Sequence, residues 1–322
     1  MKRPKILPAF TPNERQRVHD LLATRVAFMM GRKLEEDDWE QAYCSAKGIP
    51  NKGWSNLNLD IVHDGLGIEH KMLRPGGDKP VKEVFGSRLM HPSATRSIRI
   101  TDGEPNEVMQ NVLSQYVSFL KQREKYVHEK YPDKHPDMRT GWLLWQSNLS
   151  DFIYFEEETL QPEPNDYVAE WHESKGKGAR KASKSLWIYE KETGEKKYSV
   201  TTDAGAKIQP YFVVPPLSEP NLYFFQVQGE EFEKGFIRIW IPSSSARELQ
   251  RITGDLSADA LHNAIKELLS KPHDLTATPN NQPETALPIV LRAETYSLLG
   301  EFFPMAVSDS HKIQLLIELI NG

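Results

Sequence analysis

Apolar residues near the start of the chain recur with a helical period. Val18, Leu21, Leu22, Val26 and Met29 fall three or four positions apart, behind Thr11-Pro12-Asn13-Glu14. Threonine as N-cap, proline at the first helical position and glutamate three residues after the cap predict a helix start there. Gly31 is its expected stop. Glu35 to Ala46 predicts a second, acidic helix, and Gly48 to Gly53 a turn. The period then changes. Leu57 to Val62 and Gly67 to Leu73 predict two strands, and the Asp64-Gly65 pair between them is a strong hairpin signal. A long helix is expected over Asn106 to Tyr131, with Val108, Val112, Leu113, Tyr116, Phe119 and Leu120 on its apolar side. Gly141 to Gln146 and Phe152 to Phe155 are short apolar strands.

The segment Glu156 to Asp166 (EEETLQPEPND) is acidic, holds two prolines and has almost no apolar residues. It marks the expected boundary between a first region, 1–160, and a second, 161–322. Strand patterns dominate beyond it: Leu186–Glu190, Lys197–Thr201, Tyr211–Val214, Leu222–Val227 and Phe236–Ile241. Thr193-Gly194 turns the first of these into the second. Helical patterns return at Ser245–Ile252, Ala258–Leu269 and Ser310–Ile320, and Lys271–Pro288, with four prolines, predicts a long surface loop. The fold class is therefore α/β, in the sense of an α+β mixed sheet flanked by helices with a strand-rich C-terminal half.

Composition narrows the class. Of 322 residues, 39% are hydrophobic and 26% charged, which excludes a disordered or collagen-like chain. No apolar stretch approaches the ~18 residues of a spanning helix, and the basic start lacks an apolar stretch behind it, so a cytoplasmic protein is expected. One cysteine, Cys44, excludes an internal disulfide and a thiolate zinc site. The net charge of −5 is acidic, but the basic residues cluster. Lys71, Arg74, Lys79, Lys82, Arg88, Arg96 and Arg99 follow one another with only Asp78 and Glu83 among them. Lys175, Lys177, Arg180, Lys181 and Lys184 stand in ten positions without an acid. Local clusters, not the sum, govern attraction of a polyanion.

The segment with chemical content is Asn58 to Leu73 (NLDIVHDGLGIEHKML). Alternation places Glu69 and Lys71 on one face of the second strand and Ile68, His70 and Met72 on the other. Asp60 lies on the first strand, where hairpin pairing can bring it close to Glu69. Two carboxylates beside a lysine on rigid strands suit a hard divalent cation and a water nucleophile.

Asp60, a short spacer, then Glu69-His70-Lys71 on the following strand resembles the motif of the PD-(D/E)XK nuclease superfamily, which includes type II restriction endonucleases. The resemblance covers the motif and its α-β-β surroundings, roughly Thr11 to Leu73, with Leu59 in place of the family's variable proline. It implies a restriction-endonuclease-like core. Asp60 and Glu69 would bind Mg²⁺, with Mn²⁺ able to substitute. His70 would lend its backbone carbonyl, and Lys71 would assist the water. An acid on the preceding helix is common in the family. Glu36 and Glu40 are the candidates, and Glu40 is the nearer in sequence.

Other motifs carry less. Glu173-Ser174-Lys175 sits in a polar run without apolar flanks, which argues against a core strand. Glu195-Lys196-Lys197 lacks a nearby upstream aspartate. His63, His70 and His91 show no paired ligand spacing. Asp64 is expected to shape the turn. Gln122 and Tyr126, spaced as in RecB-like exonucleases, lie on the polar face of the long helix. Trp142 and Trp145 are better explained by a buried strand than by base stacking. Gly176-Lys177-Gly178 lacks the register of a phosphate loop, so no nucleotide cofactor is expected.

The expected function is a Mg²⁺-dependent endonuclease on double-stranded DNA, leaving 5′-phosphate and 3′-hydroxyl ends as the resemblance implies. Arg74, Arg88, Arg96, Arg99, Lys175, Lys177, Arg180 and Lys181 are expected to contact DNA. The second region would supply recognition, homodimerisation or both. The rival expectations are a structure-specific repair or recombination nuclease and a DNA-binding module without catalysis.

Overall fold

The computed structural model describes residues 4–29, 32–50, 59–75, 80–90, 96–175, 183–202, 206–269 and 285–321. In chain order the elements are β1 (Ile6–Leu7), α1 (Pro12–Ala27), α2 (Glu36–Lys47), β2 (Ile61–His63), β3 (Leu66–Leu73), β4 (Gly86–Leu89), β5 (Arg96–Ser97), α3 (Pro105–Lys130), β6 (Asp137–Trp145), β7 (Asp151–Glu158), β8 (Tyr167–Ser174) and β9 (Ser183–Glu190). There follow β10 (Lys196–Thr201), β11 (Lys207–Val214), β12 (Tyr223–Gln226), β13 (Glu230–Glu233), β14 (Phe236–Pro242), α4 (Ser243–Thr253), α5 (Ala258–Leu269), β15 (Ala286–Arg292), α6 (Ala293–Phe302) and α7 (Asp309–Asn321). The class is mixed α and β, as expected.

The strands form three sheets. The first runs β1-β7-β6-β3-β2, with β12 also on β7; the second runs β4-β11-β10-β9-β8, with β5 also on β11; the third is β13-β14-β15. The second and third are antiparallel throughout the described pairings, whereas β3 and β6 run parallel, joined by the long α3. A parallel neighbour needs a crossover, and a helix is the usual one. No described helix is long and apolar enough to cross a membrane.

The chain divides into two units, each assembled from separate stretches: 1–9, 52–144 and 154–223 in one; 10–51, 145–153 and 224–322 in the other. Residue 160, the expected boundary, falls inside the last stretch of the first unit.

In the first unit α3 serves two sheets. Its N-terminal half packs Val108, Met109, Val112 and Leu113 against Leu186, Ile188, Val200 and Ile208 of the second sheet. Its C-terminal half covers β3, where a Cβ on Gly67 would lie 2.7 Å from the Val127 side chain. In the second unit Ile239, Ile241, Ile289 and Leu291 form a core with Leu249, Leu261, Leu299 and Leu316 from the four C-terminal helices. Its N-terminal helix starts as expected: Thr11 and Glu14 make the reciprocal capping box with Pro12 inside the first turn. Gly48 ends α2 at φ 68°, a left-handed cap that favours glycine.

Several expectations change. Glu156 to Asp166 is not a polar linker at its start. β7 continues to Glu158, and Glu156 is completely buried. The run around Glu173, not expected to be a core strand, forms the end of the edge strand β8, paired with β9, with Glu173 exposed. The proline-rich loop gives way at Ala286 to β15, an edge strand that carries Pro288 opposite Trp240, the position in a sheet where a missing N–H is tolerated. Residues 271–284 of that loop lie outside the described residues, as do Gly31 and the start of the first predicted strand.

Candidate active site

The hairpin forms as its sequence dictates. Asp64 and Gly65 adopt φ 48° and 86°, the paired positive values of a two-residue hairpin turn, with Ile61 opposite Ile68. Ile68 is fully buried and His70 nearly so, so Glu69 and Lys71 take the other face.

Asp60 stands just beyond the paired stretch and is tied to β3 on both sides of Glu69. Its backbone N–H donates to the Ile68 carbonyl (3.0 Å), and its carboxylate accepts the backbone N–H of His70. In a strand the N–H and C=O of one residue point to the same edge. The His70 carbonyl is therefore directed to the edge where Asp60 lies.

Glu69 is held from two directions. Lys71 Nζ lies 2.5 Å from its Oε1 and Arg123 Nη1, from α3, 2.6 Å from its Oε2. Burial alone would raise this carboxyl, but Lys71 and Arg123 overcome it and hold the group at about 2. Glu69 is ionised at any physiological pH. Two cations against one carboxylate leave the cluster net positive.

The opposite face of β3 rests on a buried polar chain. His70 Nε2 lies 3.0 Å from the Tyr154 hydroxyl, which donates to Glu156 Oε1 (2.9 Å); Arg139 Nη1 donates to Glu156 Oε2 (2.9 Å). Since the Tyr154 proton goes to Glu156, the network assigns the imidazole proton to Nε2. Burial holds His70 down at about 3, and so neutral. Gly141, opposite His70 on β6, is required there. A Cβ would lie 2.5 Å from the Tyr154 hydroxyl and 2.6 Å from His70 Cδ2.

The residues suit a hard dication in donor chemistry: two carboxylates and a backbone carbonyl, all oxygen, with Glu69 reliably anionic. Among the described residues no group of three His, Cys, Asp or Glu side chains gathers to hold a metal. The chain's own oxygens for such a shell would be those of Asp60, Glu69 and the His70 carbonyl, with Arg123 seated on Glu69 Oε2.

The other expected site residues fall on several different elements. Glu40 lies on α2 in the second unit, its carboxyl pushed up by burial and by Asp37 and Glu36. Arg74, Arg88, Arg99 and Lys175 are exposed in the first unit, and Arg96 lies in β5. The Arg99 backbone is clamped by Gln115, whose side chain bonds both its N–H and its C=O. Lys177, Arg180 and Lys181, and His91, lie outside the described residues. Trp142 is buried, stacked on Phe212 at 4.0 Å between ring centroids. Gln122 is exposed on α3, while its neighbour Arg123 turns inward.

Two residues escaped the sequence reading. Arg123 had a signal: it interrupts the stripe Tyr116, Leu120, Val127 at helical spacing, a charge where the period calls for an apolar residue. Glu157 had none. It sits on β7, accepts from Trp142 Nε1 (2.9 Å), and burial pushes its carboxyl up to about 7 despite that bond. Trp142 pairs with Lys71 across β3 and β6, so Lys71, Trp142 and Glu157 follow one another across three neighbouring strands.

Glu69 and Glu157 affect stability with opposite signs. A carboxyl lowered in the fold contributes above its ordinary 4.5 and loses that contribution as pH falls toward about 2. A raised one contributes fully below 4.5 and loses it as pH rises through about 7. Glu157→Gln keeps the acceptor for Trp142 and removes the second effect. Relative to the variant, the wild type is expected to lose up to ~3 kcal/mol between pH 4.5 and 7, at 1.36 kcal/mol per unit. Urea melts at pH 4, 6 and 8 measure this, and a difference independent of pH would refute it.

Comparison of the chain with protein-family models, curated proteins and solved structures finds no match. The functional reading therefore rests on the residues and their geometry.

Proposed function

We propose that the protein is a Mg²⁺-dependent DNA endonuclease with a restriction-endonuclease-like core, acting through Asp60, Glu69, His70 and Lys71. The observation that carries this is the tying of Asp60 to β3 on both sides of Glu69, with Lys71 seated on the same carboxylate. The acid, acid and lysine of the motif thereby meet on one rigid hairpin. A two-stranded turn that served only as surface would have no need to draw a carboxylate onto the His70 N–H or to hold a half-buried Glu69 between two cations.

Asp60, Glu69 and the His70 carbonyl would hold the cation, which supplies Lewis acidity at a phosphate oxygen and lowers the pKa of water. Lys71 holds the attacking water in line with the leaving 3′-oxygen and offsets charge developing on the phosphate. The water oxygen bonds to phosphorus and the bond to the 3′-oxygen breaks; of the two water protons, one ends on the 3′-oxygen through solvent and the other is shared between the new 5′-phosphate and solvent. The products are a 5′-phosphate and a 3′-hydroxyl. Arg74 follows directly on β3, where a cation can engage the duplex backbone beside the scissile bond.

The second reading, a DNA-binding module without catalysis, is favoured by one contact: Arg123 Nη1 on Glu69 Oε2. A permanent guanidinium there would stand in for the dication. Incubation of plasmid DNA with the full chain separates the two. Discrete fragments are expected in Mg²⁺ or Mn²⁺ and none in excess chelator. Ca²⁺ should support binding with poor cleavage, because its looser shell misplaces the water. Retention of DNA without cleavage in every metal would select the second reading. Cleavage undiminished by chelator would defeat both.

A further inference from the structure

His19 sits on α1 with both ring nitrogens aimed at acceptors. Nδ1 lies 3.0 Å from Asp20 Oδ1, an oxygen that also accepts from Gln16 Nε2 (2.9 Å). Nε2 lies 3.0 Å from the Gln226 carbonyl oxygen of β12 and 3.4 Å from Glu230 Oε2 of β13. The residue is only 9% exposed, and its ring meets Trp240 of β14 edge to face. All of these residues belong to the second unit.

A carbonyl and a carboxylate accept and cannot donate. A neutral imidazole carries one N–H, so one of its nitrogens would present a lone pair to an oxygen. Only the imidazolium donates in both directions. Glu230 is itself fixed, because Arg238 of β14 donates to both its oxygens (2.8 and 2.7 Å).

We propose that His19 is a pH-sensitive clasp: as the imidazolium it grips β12 and β13 and fixes α1 on them, and on losing its proton it loosens that grip. The clasp is independent of the nuclease reading of the hairpin in the first unit.

The charges around the ring favour the proton. Burial alone would lower the imidazole, but Glu230, Asp20 and the Gln226 carbonyl overcome it and raise it above its ordinary 6.5. α2, β15 and α7 also pack on α1. There Lys47 pairs with Glu14, Asp38 with Arg25 and Arg32, Arg292 with Asp259, and Lys312 with Asp309. None of these ion pairs includes His19. Nδ1 is the nitrogen that gives up its proton, because the Asp20 side chain is 45% exposed and can turn to water, whereas the Gln226 carbonyl is fixed in β12. The neutral ring keeps its bond to β12 and loses its attraction to Glu230 on β13, an edge strand. Below the unfolded imidazole's value of ~6.5 the grip is complete, and it is lost as pH rises through the raised folded value.

Hydrogen exchange of the full chain, read by mass spectrometry on peptides from α1 and β13, compares wild type with His19→Gln at each pH, so that the pH dependence of exchange itself cancels. Glutamine keeps a donor for the Gln226 carbonyl and takes up no proton. The protection of wild type relative to the variant is expected to fall between pH 5.5 and pH 9, by about tenfold for each unit that separates the folded from the unfolded titration. A ratio that does not change with pH overturns the clasp. Asp20→Asn and Glu230→Gln leave the ring in place and guard against a folding defect in the first variant. In imidazole NMR titrations of the ten histidines, His19 is the resonance missing from His19→Gln or, should that variant not fold, the one shifted in both of the others. Its midpoint should lie above that of an unstructured histidine peptide, and each of the two variants should lower it. A midpoint at or below that of the peptide, or one that neither variant lowers, also overturns the clasp.

Discussion

Alanine at Asp60, Glu69 or Lys71 is expected to lower single-turnover DNA cleavage in Mg²⁺ by about 10²–10⁴-fold each, the range for removing a group that acts on the reacting atoms. The three losses should not add, because the residues act as one unit. Their physical origins differ. Asp60→Ala removes an oxygen of the proposed metal site and releases the His70 N–H. Lys71→Ala spares the carboxylates, so Mn²⁺ should still bind while turnover falls. Glu69→Ala leaves Lys71 and Arg123 facing each other, two cations that were 2.5 and 2.6 Å from the lost oxygens. That variant is the one at risk of misfolding. Glu69→Gln, which keeps the shape and weakens the charge, is the safer measure. Cleavage close to wild type in all three folded variants would end the assignment of this hairpin as an active site.

The hairpin was legible because its determinants are local. Asp64-Gly65 fixes the turn, alternation fixes the faces, and a one-residue slip would put Ile68 in water. Most helices followed from the same kind of signal, α1 through its capping box and α5 through its period. What escaped depends on partners distant in sequence. The three glutamates at 156–158 look like a linker in any window of ten residues. Yet Glu156 is buried where Arg139 and Tyr154 meet it, and half-buried Glu157 is met by Trp142 reaching across from β6. Composition cannot see a partner seventeen residues upstream that only strand pairing brings near. The units were illegible for the same reason: each is built from stretches separate in sequence. β15 was hidden by Pro288, which counts against a strand everywhere except on an edge. The site itself was half legible: the acids and lysine declared themselves, while Arg123 showed only as a polar interruption in an apolar stripe.

The largest stability loss is expected away from the chemistry, at Arg139. Its guanidinium meets Glu156 (2.9 Å), the Asp137 carboxylate and the Pro8 carbonyl (3.0 Å) at once. The acids around it raise its pKa further, so it stays charged. Glu156 has no exposed surface. Arg139→Met keeps much of the volume and strips that carboxylate of its guanidinium, which should cost about 3–5 kcal/mol, the usual penalty for breaking a buried pair from one side. Removing the charge from the other side as well should restore part of it. In Arg139→Met/Glu156→Gln the amide can still accept from Tyr154, and no buried anion is left behind. Urea unfolding of the wild type, both single variants and the double gives the coupling directly. A single variant that loses less than about 1 kcal/mol would mean that Glu156 is protonated or solvated, contrary to the geometry. The double variant also tests the link to the site. Tyr154 holds His70, and His70 presents its backbone to Asp60. If the chain from Arg139 to His70 fixes the edge of β3, the double variant should regain stability and Mn²⁺ affinity together. Regained stability with lost Mn²⁺ affinity would show that the charge on Glu156, rather than its hydrogen bond, orients Tyr154 and through it β3.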